Sequence, residues 1–360
     1  MVKNMKKTKI FVDMHVIQTV PPSCVNRDDT GSPKTALYGG VRRARVSSQS
    51  WKHAMRLSFQ DQFDERDLGV RTKMIINLVA EEIVRLDPKI SDAEERAKKI
   101  METAGISTKD NVAQALFFIS AKQAESLAKL AVDKNYKKTA VLSALSENPG
   151  IDIALFGRMV ANDPSLNTDA SAQVAHCIST HRVENEYDYY TAIDDLSPEN
   201  NAGAGMIGTI EYNSATLYRY STVAAHVLFR QLADVNMVAS AIKEFVRAFI
   251  LSMPTGKQNT FANRTLPDAV MITIRSDQPI NLVGAFELPI IIHPSSAGGF
   301  AWQSSVRLAE YAKSVYSSFA PEPLKSWQIG KGLDSIGGVQ DLSTVLIELE
   351  KYICEALVKI

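Results

Sequence analysis

Three cysteines, Cys24, Cys177 and Cys354, are the only ones in 360 residues, and they stand far apart with no CxxC pair. That spacing excludes a disulfide framework and a cysteine-ligated zinc site. Apolar runs of the roughly 18 residues that a membrane span needs are also lacking. The opening stretch MVKNMKKTKI has no apolar segment of a secretory signal, so a cytoplasmic protein with no membrane partner is expected. The six histidines (15, 53, 176, 181, 226, 293) form neither HExxH nor H-x3-H, and His176 and His181 are five apart. A phosphate loop of the GxxxxGK[ST] type, a GxGxxG turn and a GxSxG elbow are missing as well. No metal, cofactor or catalytic nucleophile is therefore expected. Disorder is excluded from the other side, because 45% of the residues are hydrophobic and the length suffices for two or three structural units.

Net charge is lacking too, with 40 basic residues against 40 acidic, but the balance is uneven along the chain. Residues 31–60 hold Lys34, Arg42, Arg43, Arg45, Lys52 and Arg56 and no acid, leaving 34 basic and 40 acidic residues elsewhere. A concentrated cationic strip on an otherwise acidic molecule is a phosphate-binding footprint.

The alternation of Ile10, Val12, Met14 and Val16 predicts a strand over 8–20, ended by Pro21-Pro22. VRRARV predicts a short extended segment with Arg43 and Arg45 on one face and Arg42 on the other. Ser47-Ser48 are N-cap candidates for a helix to Phe59, with Trp51, Ala54, Met55 and Phe59 on its core face. From Gly69 to Asn148 the pattern is almost wholly helical. Ser91-x-x-Glu94 reads as a capping box, 110–133 as a long amphipathic stretch, and GIDIALFGRMV as a strand. Tyr-, Ile- and Thr-rich arms on either side of SPENNAGAG predict a projecting hairpin over 183–220. A helix at 232–251, a strand at AVMITIRS and helices near 302–319 and 343–358 complete the pattern, which suggests an α+β, split βαβ, ferredoxin-like core.

Arginines on a strand that leads into a Ser-capped helix N-terminus bring guanidinium forks, free amides and a favourable dipole end to one groove. Ser48, Gln49, Lys52 and Arg56 fall on the helical side of that groove, and Gly39-Gly40 let the backbone approach a ligand closely. A second acid-free loop, 253–267, offers Lys257, Gln258, Asn259 and Arg264, suited to phosphate, ribose and base edges. Asp28-Asp29 are read as loop carboxylates that accept backbone hydrogen bonds or pair with Arg27, and Asp194-Asp195, near the hairpin tip, as solvated or in contact with another subunit, with metal-assisted phosphodiester cleavage as the alternative for such pairs.

The runs SCVNRDD, PKTALYGGVRRARVSSQSWKHAMR, GIDIALFGRMV, AHCISTH with YDYYTAIDDL, GTIEYNSATLYRY and PTGKQNTFA together resemble the CasC family, the repeating backbone of the type I-E CRISPR surveillance complex, Cascade. The resemblance implies an RRM/ferredoxin-like palm (1–62, 176–182 and 217–360 with C-terminal helices), a large helical fingers insertion (63–175) and a β-hairpin thumb (183–216). It implies that Arg27, Lys34, Arg42, Arg43, Arg45, Gln49, Lys52 and Arg56 hold a guide-RNA backbone. Met159, Tyr190 and Ile207 would lie where the thumb crosses the guide–target duplex and displaces a nucleotide. The implied partners are CRISPR RNA, target DNA through the guide, neighbouring copies of the chain and other Cascade subunits, and the implied role is not enzymatic. Two readings compete: a type III-like backbone subunit that cuts target RNA with Asp28 or Asp29, and a stand-alone RRM-type regulator, for which the aromatic RNP motifs are lacking.

Overall fold

The computed structural model describes residues 9–160, 163–192 and 206–359. Its centre is strand β1 (Phe11–Ser23), rich in β-branched and aromatic residues. β1 pairs antiparallel with the long strand Met206–Ala224 on one side and with Ala269–Arg275 on the other. The sheet runs in the order Lys325–Gly330, Ala269–Arg275, β1, Met206–Ala224, Cys177–Ser179, β3 (Val41–Val46), β2 (Thr35–Tyr38). Ala172–Val174 and Glu186–Ala192 also pair with Met206–Ala224. The protein is thus mixed α+β with a mostly antiparallel sheet.

Both faces of β1 are buried, which is why its inward face reads as only half of the story. Val12, Met14 and Val16 pack under helix α1 (Ser48–Phe59) and the helices Val235–Leu251 and Leu342–Leu357. Ile17, on the opposite face, packs with Tyr218, Tyr220 and Met271 against Leu282, Phe286 and Leu308, the last from helix Phe300–Ser318. A separate apolar cluster lies between Ile75 and Leu166, built by the helices Ile75–Leu86, Ala93–Thr103, Ala121–Val132 and Lys138–Ser146. Buried Arg158 stitches it together by donating to the carbonyls of Phe118, Leu145 and Leu166.

Several local expectations are corrected. GIDIALF is a helix, Ile151–Phe156, with all six residues buried. An apolar run has no polar face to reveal its period, so it reads equally as a strand. Gly157, at φ +77°, stops it. The block 69–148 is not wholly helical: Gly69–Thr72 pairs with Phe117–Ser120, and Thr108–Lys109 with Val112–Ala113. The helix of the 110–133 stretch begins only at Ala121, where Ser120 and Gln123 make the capping box. Ser91 caps nothing, because Asp92 is the N-cap of Ala93–Thr103 and its carboxylate accepts from Arg96 instead. β1 continues through Pro21-Pro22 with a register shift between Val20 and Ser23. The edge strand Lys325–Gly330 carried no recognised signal. The predicted α1, the hairpin arms and the helices Val235–Leu251, Phe300–Ser318 and Leu342–Leu357 are present.

Candidate nucleic-acid interface

β2 and β3 form a tight hairpin whose turn, Gly39-Gly40, has φ of +58° and +77°. A Cβ at Gly39 would collide with the Glu287 carbonyl, so close backbone approach is real here, although to the protein's own chain. Arg42, exposed, lines an open cleft of about 580 Å³ with Gly40, Val41, Arg182, Glu184 and Tyr187 at the foot of the hairpin Glu186–Ala192/Met206–Ala224.

Arg43 departs from the expected groove. Its side chain is fully buried and donates to the carbonyls of Tyr38 (3.2 Å), Ser179 (3.0 Å), Phe286 (2.8 Å) and Glu287 (3.2 Å). Burial lowers its pKa from the usual arginine range. With four of its five N–H donors serving carbonyls and the side chain closed off from solvent, Arg43 is an internal clasp rather than a phosphate ligand. The strand alternation that puts Arg43 and Arg45 on one face is correct, but only Arg45 stays half-exposed.

Arg45 donates from Nε to the Thr35 carbonyl (3.2 Å) and sits 3.2 Å from His176 Nδ1. His176 was not singled out by the sequence as a ligand-facing group. Its pKa is lowered by partial burial first, then by the positive charges of Arg45, Lys34 and Lys52. The positive charges of Lys34, Arg45 and Lys52 thus all bear on the His176 ring, Arg45 most closely. Histidine next to a strand Cys is weak as a sequence signal, and only the pairing of Cys177–Ser179 with β3 brings it to Arg45.

The N-terminus of α1 is built as the Ser47-Ser48 pair suggests: Ser47 accepts from the Ser50 amide, and no acid occupies the first turn. Asn26 Oδ1 accepts from the Ser47 amide at 2.9 Å, tying the loop after β1 to this end. Ser48 is half-buried and Gln49 exposed on that turn. Lys52 lies 5.9 Å over the Phe156 ring, with its pKa lowered by burial and then by Arg71. Arg56 is committed elsewhere: it pairs with Asp152 at 2.9 Å, donates to the Gly69 carbonyl at 3.0 Å and lies 4.5 Å over Phe118. Asp152, buried, has its pKa raised by desolvation despite that partner. Arg56 therefore fastens α1 to the neighbouring strand pair rather than lying open in the groove.

Arg27 is exposed on a cleft of about 900 Å³ that also takes in Asp28, Asp29, His53, Thr255, Gly256 and Arg264. The loop after β1 and the 253–267 loop thus share one wall. Gly256 presses against the Val25 carbonyl, and Lys257 and Ala262 adopt left-handed φ of +53° and +45° on either side of the short helix Gln258–Phe261. Lys257 and Gln258 are half-buried; Asn259 is exposed. Asp28 folds its own loop, accepting from the Thr30 hydroxyl (2.7 Å) and amide (3.0 Å) and the Ser32 amide (3.0 Å). Those bonds hold its pKa below the usual carboxylate value.

The three expected wedge residues are not gathered. Met159, 84% exposed, stands on the rim of a different cleft, of about 540 Å³, with Arg71, Phe117, Phe118 and Phe156. Tyr190 and Ile207 are on the hairpin, opposite Gly208 and Thr191 respectively. Gly208, unnoticed in the sequence, leaves room for the Tyr190 ring, which a Cβ there would strike. Asp194, Asp195 and the tip Pro198–Ala204 lie outside the described residues. His181 is buried, accepts from the Thr216 amide and stacks on Phe300. Among the described residues no three His, Cys, Asp or Glu side chains are grouped to hold a metal, and no helix is long and apolar enough to cross a membrane.

Residues 12–352 match the family model described as CT1975-like protein. Two solved chains are similar over nearly the whole length. One, titled "CRISPR RNA-guided surveillance complex, pre-nicking", is 30% identical with a TM-score of 0.78, covering 94% of this chain and 100% of its own. Another, titled "CRISPR RNA-guided surveillance complex", is 28% identical with a TM-score of 0.62, covering 94% and 99%. No curated protein matches the chain.

Proposed function

Because the chain belongs to the family of CT1975-like proteins, we propose that it is a guide-RNA-binding backbone subunit of a CRISPR surveillance complex of the type I-E, Cascade kind. In this reading the chain is a non-catalytic scaffold. Its sheet with α1 forms an RRM-like palm, the 63–175 block the fingers and the 183–216 hairpin the thumb. Copies stack head to tail along one CRISPR RNA and present it to target DNA, beside other subunits of the complex. A heterologous contact that does not close generates such a helical stack.

The observation that carries the reading is the gathering of Lys34, Arg45 and Lys52 around His176, 3.2 Å from Arg45, beside an acid-free helix N-terminus. Those groups suit phosphate and ribose, which every guide shares, and not a particular base sequence. Arg42 and Arg27 extend the contact to the hairpin foot and to the loop after β1. Arg43 and Arg56 support it from within. The loop geometry of Asp28 favours the structural role of that carboxylate over cleavage.

The experiment is fluorescence anisotropy of the purified protein with two unrelated single-stranded RNAs of equal length. Equal affinities that fall together with added salt are expected. A strong preference for one sequence, or binding indifferent to salt, would contradict the scaffold reading.

A further inference from the structure

Beyond the predicted strip, Arg71 stands on strand Gly69–Thr72 directly opposite Phe118, its cross-strand partner. Its guanidinium lies 4.6 Å over the Phe118 ring, and that of Arg56 lies 4.5 Å over the same ring. Lys52 covers the adjoining Phe156. Three cations thus crowd two aromatic rings, and the neighbouring buried acid, Asp152, is taken by Arg56. Among the described residues no ion pair engages Lys52 or Arg71. Lys52 and Arg71 each have a pKa lowered by burial first and then by a neighbouring cation, with Asp152 acting in the opposite sense at Arg71. Opening from this cluster is the cleft of about 540 Å³ lined by Arg71, Phe118, Phe156 and the exposed Met159, with Asp169 the one acid on its wall among the described residues.

Arg71, bound to an aromatic face, without an ion-pair partner among the described residues and lining an open cleft, fits an anion that bridges it to Lys52, the cation over the neighbouring Phe156 ring. We propose that Arg71 and Lys52 clamp one phosphodiester of the guide RNA, carrying the strand from the N-terminus of α1 across Phe118 and Phe156 to Met159. This rests on the guide-binding reading and adds to it Arg71, which lies outside the basic 31–60 segment. It also accounts for the tether of Arg56, which holds the strand pair carrying Arg71 against α1.

The test is the salt dependence of single-stranded RNA binding by the wild-type protein, Arg71→Ala and Arg71→Lys, with thermal melts run beside it. One lost phosphate contact flattens the slope of log affinity against log salt by about 0.7, equivalent to about fivefold weaker binding at 0.1 M salt. Arg71→Ala is expected to show that loss with an unchanged melting temperature, and Arg71→Lys to retain the wild-type slope. A wild-type slope in Arg71→Ala would overturn the clamp, as would a Lys variant that loses as much as the Ala variant. If Arg71→Ala melts early, the Lys variant together with Lys52→Ala decides: the clamp requires the first to keep the slope and the second to lose about 0.7. A second arm adds the complementary DNA strand. A loss that emerges only in this arm would move the phosphate to the paired strand and overturn the assignment to the guide. Wild-type protein that binds no RNA at all would instead sink the function proposed above, so the two failures are distinct.

Discussion

Residues of one chemical type take opposite roles here, and burial decides which. Arg43 sits within the most basic segment of the chain yet its donors serve four backbone carbonyls. Arg43→Ala leaves those carbonyls unpaired in the interior and is expected to cost about 3 kcal/mol or more of stability, read by urea unfolding. Binding to RNA per folded molecule should keep its wild-type salt slope, whereas a phosphate contact would flatten it. Asp13 offers a second residue-scale test. It is buried, accepts from Tyr220 and from the Ile280 amide, and its pKa is raised to about 6, burial being the main cause. A carboxyl whose pKa is raised on folding stabilises fully below about pH 4, and that contribution is lost as pH rises through about 6. Asp13→Asn removes this loss, so its stability relative to wild type should improve by about 3 kcal/mol between pH 4 and pH 7. His15 in the same layer, its pKa lowered to about 3 by burial, pulls the other way and is common to both proteins. A pH-independent difference between them would contradict the assignment. Asp28 is tested by cleavage: assembled protein with guide, complementary RNA and Mg²⁺ should yield no regularly spaced products. Products that vanish in Asp28→Ala or Asp29→Ala would establish an enzyme.

At the scale of elements, the hairpin Glu186–Ala192/Met206–Ala224 carries its exposed apolar groups without any Lys or Arg between Val183 and Thr216. It presents Tyr190, 39% exposed, and Ile207, 63% exposed. Such an element suits insertion between bases more than a grip on phosphate, unstacking costing a few kcal/mol per step. The double change Tyr190→Ala with Ile207→Ala is expected to leave the melting temperature within a degree or two, since neither side chain is core. It should erase periodic hyper-reactivity of guide bases toward chemical probes in the assembled complex. Periodicity that persists would refute the wedge. This hairpin was legible because Tyr-, Ile- and Thr-rich arms around an Asn/Gly-rich centre leave few alternatives, and α1 was legible because a capped amphipathic helix has a face of each kind. The helix Ile151–Phe156 was not, since six buried residues show no period, nor was Phe117–Ser120, which runs directly into a helix. The candidate site was half legible. Charge showed the strip, but which arginines point inward depends on carbonyls from residues 179 and 286–287, far along the chain. His176 and Arg71 join the site only through strand pairings.

For the whole molecule, zero net charge leaves no long-range force to drive copies together, whereas RNA offers the cationic strip of each copy adjacent sites along one strand. Guide RNA should therefore nucleate assembly and set its length. The most direct measurement is the mass of the complex, by analytical ultracentrifugation, with single-stranded RNAs of increasing length and with none. The account predicts a small species without RNA and a bound copy number that climbs in even steps with strand length, whatever the sequence. One copy bound at every length, or long defined filaments in the absence of RNA, would contradict it.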